Sequence, residues 1–268
     1  MLCKICGNTT SEIFRKIILA RYDIQYFQCS SCRFIQTEEP YWLQEAYQHS
    51  LNMEDTGLVQ RNLLFAKRTS AVLFFLYDKN GTFVDWGGGS GLFVRLMRDQ
   101  GFNFFWNDPY TENIFARGFE YDNVKHKSID VLTAFECFEH FVNPLSEIEK
   151  LLSMSRSLLF STVTFSKGTP DPERWEYYSF SHGQHIAFYS SDALRYIARK
   201  FGLNLYTNNK SFHLFTTKRL NNTLYNGLLK LSQLGISPIV GMMMGSKMKQ
   251  DELLTQQKRN AEYNASRK

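Results

Sequence analysis

The sequence has no long apolar run of the kind that marks export or membrane insertion. The N-terminus, Met1 to Lys4, lacks the apolar core of a signal peptide. No segment approaches the ~20 consecutive apolar residues of a transmembrane helix. The longest candidate, residues 234–245, is short and contains three glycines and a proline. We therefore expect a cytoplasmic protein without a membrane span, in which thiols stay reduced.

Internal repeats, low-complexity segments and concentrated charge are also lacking. The net charge of +5 is mild, and Lys and Arg are scattered rather than gathered into the basic stripe typical of nucleic-acid-binding proteins. This pattern argues against a nucleic-acid partner. It favours a small anionic molecule, such as a nucleotide sugar, as the partner.

The composition is that of a globular protein with a large core. The 268 residues are 43% hydrophobic and 21% charged. Aromatic residues reach 15%, with 23 Phe and 14 Tyr, and most of them are expected in core packing. The length suits one sizeable core with a small accessory module.

Strands and helices are predicted to alternate through the central part of the chain. Apolar runs predict strands at 81–86, 102–106, 130–135 and 157–163, and helical spacing predicts helices at 92–100 and 144–152. This alternation indicates an α/β, Rossmann-like fold with a mostly parallel sheet and helices on both faces.

The segments on either side of this central part differ from it. We divide the chain into a cysteine-paired module at 1–40, a helical connector or lid at 41–78, the central domain at 79–215 and a helical C-terminal extension at 216–268. The first module alternates like a hairpin around its second cysteine pair. The extension is expected to pack on its own domain and to fray from Lys247, although an oligomerisation or membrane-surface role stays open.

Four of the five cysteines form two C-x2-C pairs, Cys3 with Cys6 and Cys29 with Cys32. Four thiolates presented from two tight turns match the tetrahedral coordination of zinc, with Zn–S bonds of ~2.3 Å. The alternatives are free thiols or a redox pair. Because four protein ligands would close the site to substrate, the pattern predicts structural rather than catalytic zinc.

A glycine-rich turn follows the first strand of the central domain, where residues 84–91 read Val-Asp-Trp-Gly-Gly-Gly-Ser-Gly. Such glycines let the backbone of a strand-to-helix turn approach a nucleotide closely, where a Cβ would obstruct it. Asp108, at the end of the next strand, is placed to accept hydrogen bonds from ribose hydroxyls. Taken alone, the loop could equally be an ordinary strand-to-helix turn.

The spacing within the loop distinguishes two kinds of nucleotide. A dinucleotide pyrophosphate takes G-x-G-x-x-G, whereas the glycines here stand at 87, 89 and 91, with Asp85 two residues before the first. A carboxylate there would repel a pyrophosphate but suits the cationic amino-acid end of S-adenosylmethionine. The candidate cofactor-binding residues of this region are Asp85, Gly87, Gly88, Gly89, Gly91 and Asp108.

This loop resembles the first motif of class I, Rossmann-like S-adenosylmethionine-dependent methyltransferases. Residues 130–140, Asp-Val-Leu-Thr-Ala-Phe-Glu-Cys-Phe-Glu-His, resemble the fourth-strand segment of the same enzymes. The resemblance implies that Glu136 lies beside the methionine part of the cofactor and the substrate, in a cofactor-binding and catalytic position. For Glu139 and His140, packing stays open beside direct catalysis. With its cysteine module, the chain is similar to bacterial sugar and polysaccharide methyltransferases, in which that module helps to form the substrate cleft.

A loop rich in histidine and tyrosine, residues 175–190, is the candidate site of acceptor activation. Its end, His185 to Ser190, resembles the E-H-x-x-(F/Y)-(F/Y)-S segment of the sugar methyltransferases, in which the histidine is taken to be the general base. The resemblance implies that role for His185, with His182 and Tyr178 as second choices. The chain departs at Gln184, where the family often has Glu, which weakens a proton relay through that position. The alternative is that His185 packs, with a serine capping the next helix.

Methyl transfer to a hydroxyl requires alignment of the acceptor and removal of one proton, which a neutral histidine can accept. We expect O-methylation of a sugar, in a nucleotide sugar or a surface polysaccharide unit, because the extension is too short for the further large domain that the sugar C-methyltransferases usually carry. C-methylation of a keto-sugar nucleotide stays open. So do a nicotinamide-dependent sugar oxidoreductase, a zinc-knuckle binding module with an inactive methyltransferase domain, and a homo-oligomer.

Overall fold

A computed structural model describes residues 1–48, 55–166 and 168–265. The chain divides into two compact units, each formed by two separate stretches. The cysteine unit comprises Met1–Asp55 and Ala134–Arg219. The glycine-loop unit comprises Thr56–Thr133 and Leu220–Lys268. Each unit therefore joins an N-terminal part of the chain to a part far along it.

The described residues form ten strands in two sheets. The strands are β1 (Thr10–Ile18), β2 (Tyr22–Cys29), β3 (Ile35–Thr37), β4 (Phe83–Trp86), β5 (Phe104–Asn107), β6 (Val131–Ala134), β7 (Ser157–Ser161), β8 (Ala187–Phe188), β9 (Asn204–Thr207) and β10 (Phe212–Thr216).

The smaller sheet has the order β1-β2-β3-β8 and is antiparallel throughout. The predicted hairpin is the β2–β3 pair, in which Gln28 lies opposite Ile35. Of the second cysteine pair, Cys29 thus ends β2 and Cys32 lies in the turn between these strands.

The larger sheet has the order β5-β4-β6-β7-β10-β9, and the boundary between the units falls inside β6. β4 pairs in parallel with β5 and with β6, so that Asp85 lies opposite Trp106 on one side and Thr133 on the other. β10 pairs antiparallel with β7 and β9. The predicted α/β fold with a mostly parallel, Rossmann-like sheet is confirmed.

The helices are α1 (Leu43–Ala46), α2 (Leu58–Leu76), α3 (Leu92–Asp99), α4 (Pro144–Met154), α5 (Ser191–Lys200), α6 (Asn222–Leu231), α7 (Ser237–Met244) and α8 (Met248–Ala265), with a π-helical turn, Ser232–Ile236, between α6 and α7. In the glycine-loop unit, α2 packs against α3, α6 and α7. The apolar face of α2 is buried there through Phe65, Val72 and Leu73.

Local sequence signals locate most of these helices. α3 and α4 lie where apolar spacing predicts them, and α5 begins after Ser190, whose Oγ accepts a hydrogen bond from the Ala193 amide at 2.9 Å. The helical connector predicted over 41–78 contains α1 and α2, and residues 49–54 lie outside the described part of the chain.

The prediction that the chain frays from Lys247 is wrong. α8 is an 18-residue helix, and its Asp251 is only 3% exposed. The Arg98 guanidinium donates to both carboxylate oxygens of Asp251, from Nε at 2.7 Å and from Nη2 at 2.6 Å. A buried bidentate ion pair therefore holds the first turn of α8 on the glycine-loop unit.

One helical stretch among the described residues, Asn222–Met244, is long and apolar enough by length and composition to cross a membrane. Its most apolar window has a mean hydropathy of 1.2, and 28% of that window is buried within the protein. The predicted absence of a membrane span is therefore not confirmed, since this stretch meets the requirements of length and composition.

Candidate active site

The glycine loop joins the end of β4 to the start of α3 within the glycine-loop unit. Gly87, Gly89 and Gly91 have φ angles of +67°, +52° and +84°. These left-handed values are accessible to glycine without the clash that a Cβ would cause. α3 begins directly after Gly91. The three glycines at alternate positions are thus the ones that the backbone geometry requires.

At two positions of the loop, contacts with neighbouring side chains leave no room for a Cβ and so require glycine. A Cβ on Gly88 would lie 2.8 Å from Cδ1 of Trp106 and 3.0 Å from Oδ2 of Asp85. A Cβ on Gly91 would lie 2.6 Å from Oδ1 of Asn113. At Gly89, by contrast, no atom lies within 4 Å of the Cβ position. Apart from its chain neighbours, the Cα side of Gly89 is therefore open to close approach by a ligand.

Asp85 is a buried carboxyl group at the base of the loop, 3% exposed. The Thr133 hydroxyl donates to its Oδ1 at 2.5 Å, across the parallel pair of β4 and β6. Burial raises the pKa of Asp85 to about 7; the Thr133 hydrogen bond opposes this shift and the charge of Asp108 adds to it. Asp85 is consequently poised between its neutral and charged forms near neutral pH, where a bound cation would favour the charged form.

Asp108 holds the loop through backbone hydrogen bonds. Its Oδ2 accepts from the Gly89 amide at 2.9 Å, and its Oδ1 accepts from the amides of Tyr110 at 2.8 Å and Thr111 at 3.0 Å. A carboxylate has about four acceptor positions, so these three bonds leave capacity for about one ribose hydroxyl. The structure places Asp108 beside Gly89, the glycine whose Cα side is open to a ligand.

Sequence reasoning missed Trp106 as part of this loop. The Trp106 indole nitrogen donates to the Gly89 carbonyl at 2.8 Å, and its ring occupies the space beside Gly88. The sequence feature that could have identified Trp106 is its position two residues before Asp108, at the end of a predicted strand. Trp106 thus fixes the path of the loop from the neighbouring strand.

Glu136, the first acidic residue after β6, belongs to the cysteine unit. Its backbone has a φ of +53°, an uncommon left-handed value for a residue with a Cβ. The Ser161 hydroxyl accepts from the Glu136 amide at 2.7 Å and donates to its Oε1 at 2.6 Å. The end of β7 therefore fixes both the backbone and the carboxylate of Glu136, and such strained positions are common at functional sites.

His185 lies in the cysteine unit with its orientation set by the backbone. Its Nδ1 is 2.6 Å from the carbonyl oxygen of Tyr177. Since a carbonyl oxygen only accepts, Nδ1 carries the proton, and in the neutral ring the lone pair is on Nε2. This is the tautomer that a general base acting through Nε2 requires.

His140 contacts His185 and is joined to α1. The two rings are 5.0 Å apart in an edge arrangement, and Nδ1 of His140 lies 2.9 Å from the hydroxyl of Tyr47 and 3.1 Å from the carbonyl oxygen of Gln184. Burial lowers the pKa of His140 to about 4, so its ring is neutral at pH 7. Ligand atoms of Glu139, His140 and His185 all lie within 4.8 Å of one another and could hold a metal ion. We call these three residues the histidine cluster.

The two second-choice catalytic residues differ in placement. His182 is half-buried, with its ring 6.5 Å from that of His185. Tyr178 is 1% exposed, stacks on Phe180, and its hydroxyl donates to the Pro170 carbonyl at 3.2 Å. Burial also raises the pKa of Tyr178. This environment favours packing over proton transfer for Tyr178.

Gln184 stands where the resemblance leads us to expect Glu, and its side chain makes a hydrogen bond that Glu could not make. Its Nε2 donates to the Ala46 carbonyl at the end of α1, at 2.7 Å. A carboxylate could not donate this bond. The departure from the family pattern therefore serves to hold the loop against α1, and Tyr47 follows Ala46 directly.

The structure brings the four predicted cysteine ligands together. Their sulfur atoms all lie within 4.8 Å of one another, with Cys3 and Cys32 at 3.6 Å and Cys6 and Cys29 at 3.4 Å. The Ile5 amide donates to the Cys3 sulfur at 3.4 Å, and the Ser31 amide donates to the Cys29 sulfur at 3.4 Å. Tetrahedral zinc with ~2.3 Å bonds requires sulfurs about 3.8 Å apart, so the donor set fits this metal.

Comparison with protein families gives a match over more than half of the chain. Residues 59–208 match the family described as "Methyltransferase domain". No curated protein matches the chain.

Several solved structures are similar to the chain at low identity. The plantazolicin methyltransferase BpumL, in complex with a monoazolic desmethylPZN analog and SAH, is 13% identical, with 72% of this chain and 87% of that chain covered and a TM-score of 0.46. An O-methyltransferase family protein from Burkholderia thailandensis is 13% identical, with coverages of 67% and 68% and a TM-score of 0.44. CalO1, a methyltransferase in calicheamicin biosynthesis with SAH bound, is 14% identical, with coverages of 66% and 60% and a TM-score of 0.44. These likenesses are distant, so the family assignment depends on the match over residues 59–208.

Proposed function

Because this chain belongs to the methyltransferase domain family, we propose that it transfers the methyl group of S-adenosylmethionine to a hydroxyl group of a sugar. The methyltransferase predicted from the glycine loop is confirmed at the level of the family. The sugar acceptor, as part of a nucleotide sugar or a surface polysaccharide unit, follows from the resemblance of the cysteine module and of the His185 segment to sugar methyltransferases.

The residues of the glycine loop fit S-adenosylmethionine, whose sulfonium supplies an electrophilic methyl group. Gly89 has open space on its Cα side, and Asp108, bonded to the Gly89 amide, retains acceptor capacity for about one ribose hydroxyl. Asp85 adds a carboxyl group whose charged form a cationic amino group would stabilise. Glu136 is the further acidic residue assigned to the methionine part of the cofactor.

His185 is proposed as the general base that removes the proton from the acceptor hydroxyl. The observation that carries this role is the 2.6 Å contact of Nδ1 with the Tyr177 carbonyl, which leaves the basic lone pair on Nε2. The neighbouring His140 is neutral at pH 7, so it does not oppose the positive charge that His185 gains. In this proposal Tyr178 is a packing residue.

The test is methyl transfer from deuterated S-adenosylmethionine to a panel of nucleotide sugars, read by mass spectrometry. We expect His185→Gln to lower turnover by at least ~100-fold, the usual contribution of general base catalysis, with unchanged affinity for S-adenosylhomocysteine in calorimetry. Asp108→Ala is expected to weaken that affinity by about tenfold, the loss of about one hydrogen bond to a charged group. His126→Gln, an exposed histidine, is the control.

Each outcome of this experiment decides a separate claim. Unchanged turnover in His185→Gln excludes the base assignment, and a loss in His182→Gln alone would transfer the role to His182. Binding of a nicotinamide nucleotide instead of S-adenosylhomocysteine would favour the oxidoreductase. A methylated carbon in the fragment spectrum would favour C-methylation of a keto-sugar.

A divalent cation at the histidine cluster is the second candidate for acceptor activation. The supporting observation is that Glu139, His140 and His185 offer three ligand atoms within 4.8 Å. A cation there would bind the acceptor oxygen and stabilise its deprotonated form. Loss of turnover on chelation and its recovery with one divalent metal would favour this role, whereas turnover that resists chelation would favour His185 alone.

We further propose that the four cysteines bind a structural zinc ion. The close approach of their sulfurs and the two backbone N–H donors on them support this, because thiolates in zinc sites accept such bonds. Since all four ligands come from the protein, the zinc would stabilise the small sheet without taking part in methyl transfer.

A further inference from the structure

The helical stretch from α6 through α7, which is kinked at Gly235, has an apolar outer face. Leu234 is 81% exposed, Met242 76%, Met243 64% and Ile239 51%, and Leu231, at 47%, continues this surface towards α6. We call these five residues the outer apolar face. Large side chains exposed together in this way are uncommon on a protein surface that contacts only water.

The opposite face of the same stretch is occupied by the protein itself. Tyr225, Leu228 and Val240 are buried, with exposures of 0%, 4% and 1%. The Ser237 hydroxyl lies 3.1 Å from that of Ser70 on α2. The stretch therefore lies along α2 within the glycine-loop unit. The stretch therefore has one side covered by the protein and one side exposed.

The charged residues nearest to the outer apolar face in sequence are lysines. Residues 193–250 contain no Asp or Glu, and residues 231–246 contain no charged residue at all. Lys230 precedes this uncharged segment, and Lys247 and Lys249 follow it. Lys230 and Lys249 are exposed. An apolar strip bracketed by lysines is complementary to the acyl boundary and the anionic headgroups of a membrane surface.

We propose that the outer apolar face docks on the surface of an anionic lipid bilayer, with Lys230, Lys247 and Lys249 against the headgroups. A second copy of the chain is the less suitable occupant. In a two-fold dimer through this face, the lysines of each copy would approach those of the other, and such like-charge contacts are unfavourable. The bilayer satisfies the apolar and the basic residues together.

The test is co-sedimentation of the full chain with vesicles of phosphatidylcholine alone and of phosphatidylcholine with about one third phosphatidylglycerol. We expect binding to the anionic vesicles only, weakened by salt. Leu234→Glu with Met242→Glu is expected to abolish it. Replacing each lysine by Gln is expected to weaken binding about fivefold, the equivalent of ~1 kcal/mol per basic residue at such a surface. Ile17→Glu, which changes a residue of β1 that is 61% exposed, is the matched control.

Circular dichroism and S-adenosylhomocysteine binding of each variant show that a loss of sedimentation is not a loss of folding. No difference between the two vesicle types, or equal binding by Leu234→Glu with Met242→Glu and by the unchanged chain, overturns the proposal. So does a concentration-dependent dimer that the same double variant dissociates, since the face would then join two copies. Resistance to extraction by alkaline carbonate also overturns it, because a spanning helix alone behaves in that way.

Discussion

At the scale of single residues, the buried carboxyl group of Asp85 in the glycine loop links protonation to stability. It is 3% exposed, and its pKa is raised to about 7, mainly by burial. When the pKa of a carboxyl group is higher in the folded than in the unfolded chain, the protonated, neutral group stabilises the folded state. That contribution is complete below about pH 4 and is lost as the pH rises through 7.

We therefore predict that Asp85→Asn gains stability relative to the unchanged protein as the pH rises. The difference in free energy of unfolding should grow by ~3 kcal/mol between pH 5 and pH 8.5, because only the aspartate must bury a charge. Urea unfolding at a series of pH values measures this. Asp122→Asn, at an exposed carboxyl, should show no such growth, and a difference that stays constant with pH for Asp85→Asn would contradict the prediction.

Single residues also show how the histidine cluster depends on the backbone. The Tyr177 carbonyl fixes the tautomer of His185, and the Gln184 side chain attaches the same loop to α1. Neither contact is visible in a motif, because each requires a partner from another part of the chain or from the main chain. His185 was identified through a local pattern, whereas Tyr47 has no pattern around it that signals a contact with His140.

Among the secondary-structure elements, α8 contains a fully buried ion pair with another helix, that of Asp251 with Arg98. Asp251 is its buried anchor, and Arg98 is fixed in place by a further bond to the Phe104 carbonyl at 2.9 Å and by the Phe119 ring, 3.6 Å from its guanidinium. A partly exposed Arg95 contacts the same carboxylate at 2.9 Å.

Asp251→Ala is predicted to lower the free energy of unfolding by ~3–5 kcal/mol, because it leaves the buried Arg98 charge without its partner. Thermal unfolding followed by circular dichroism measures the loss. Asp192→Ala, which breaks the exposed pair of Asp192 with Arg195 on α5, is the matched control and should cost at most ~1 kcal/mol. Equal effects of the two variants would show that α8 is not held by this ion pair.

For the molecule as a whole, each compact unit has its own means of stabilisation. The glycine-loop unit packs α2 against three other helices, and the cysteine unit combines a four-stranded sheet with the four clustered thiols. A small sheet has limited apolar area to bury, so a metal bound by these thiols would contribute a large share of its stability.

Removal of zinc is therefore predicted to destabilise the protein. The purified chain should contain one equivalent of zinc by elemental analysis, and Cys6→Ser should lower both the zinc content and the midpoint of thermal unfolding. Cys137→Ser, which changes the one cysteine outside the cluster, should retain both. A chain that is free of metal and unfolds at the same temperature as Cys6→Ser would exclude the structural zinc.

The amino-acid order alone predicted the features that depend on neighbours in sequence. Strand and helix spacing, the glycines of a tight turn, the two cysteine pairs and the cap at Ser190 all act over a few residues, and the structure has each of them where the patterns indicate. The α/β fold class and the methyltransferase family were accessible for this reason.

Features that depend on residues distant in the chain became visible only in three dimensions. Arg98 meets Asp251 and Tyr47 meets His140 across more than 90 residues, and no local pattern marks either pair. The burial of Tyr178 and the exposure of Met242 were also inaccessible, since both are apolar in composition and only packing separates them. Desolvation and long-range hydrogen bonds arise from the folded arrangement, so the tertiary structure decided which of these side chains pack, which pair and which face outward.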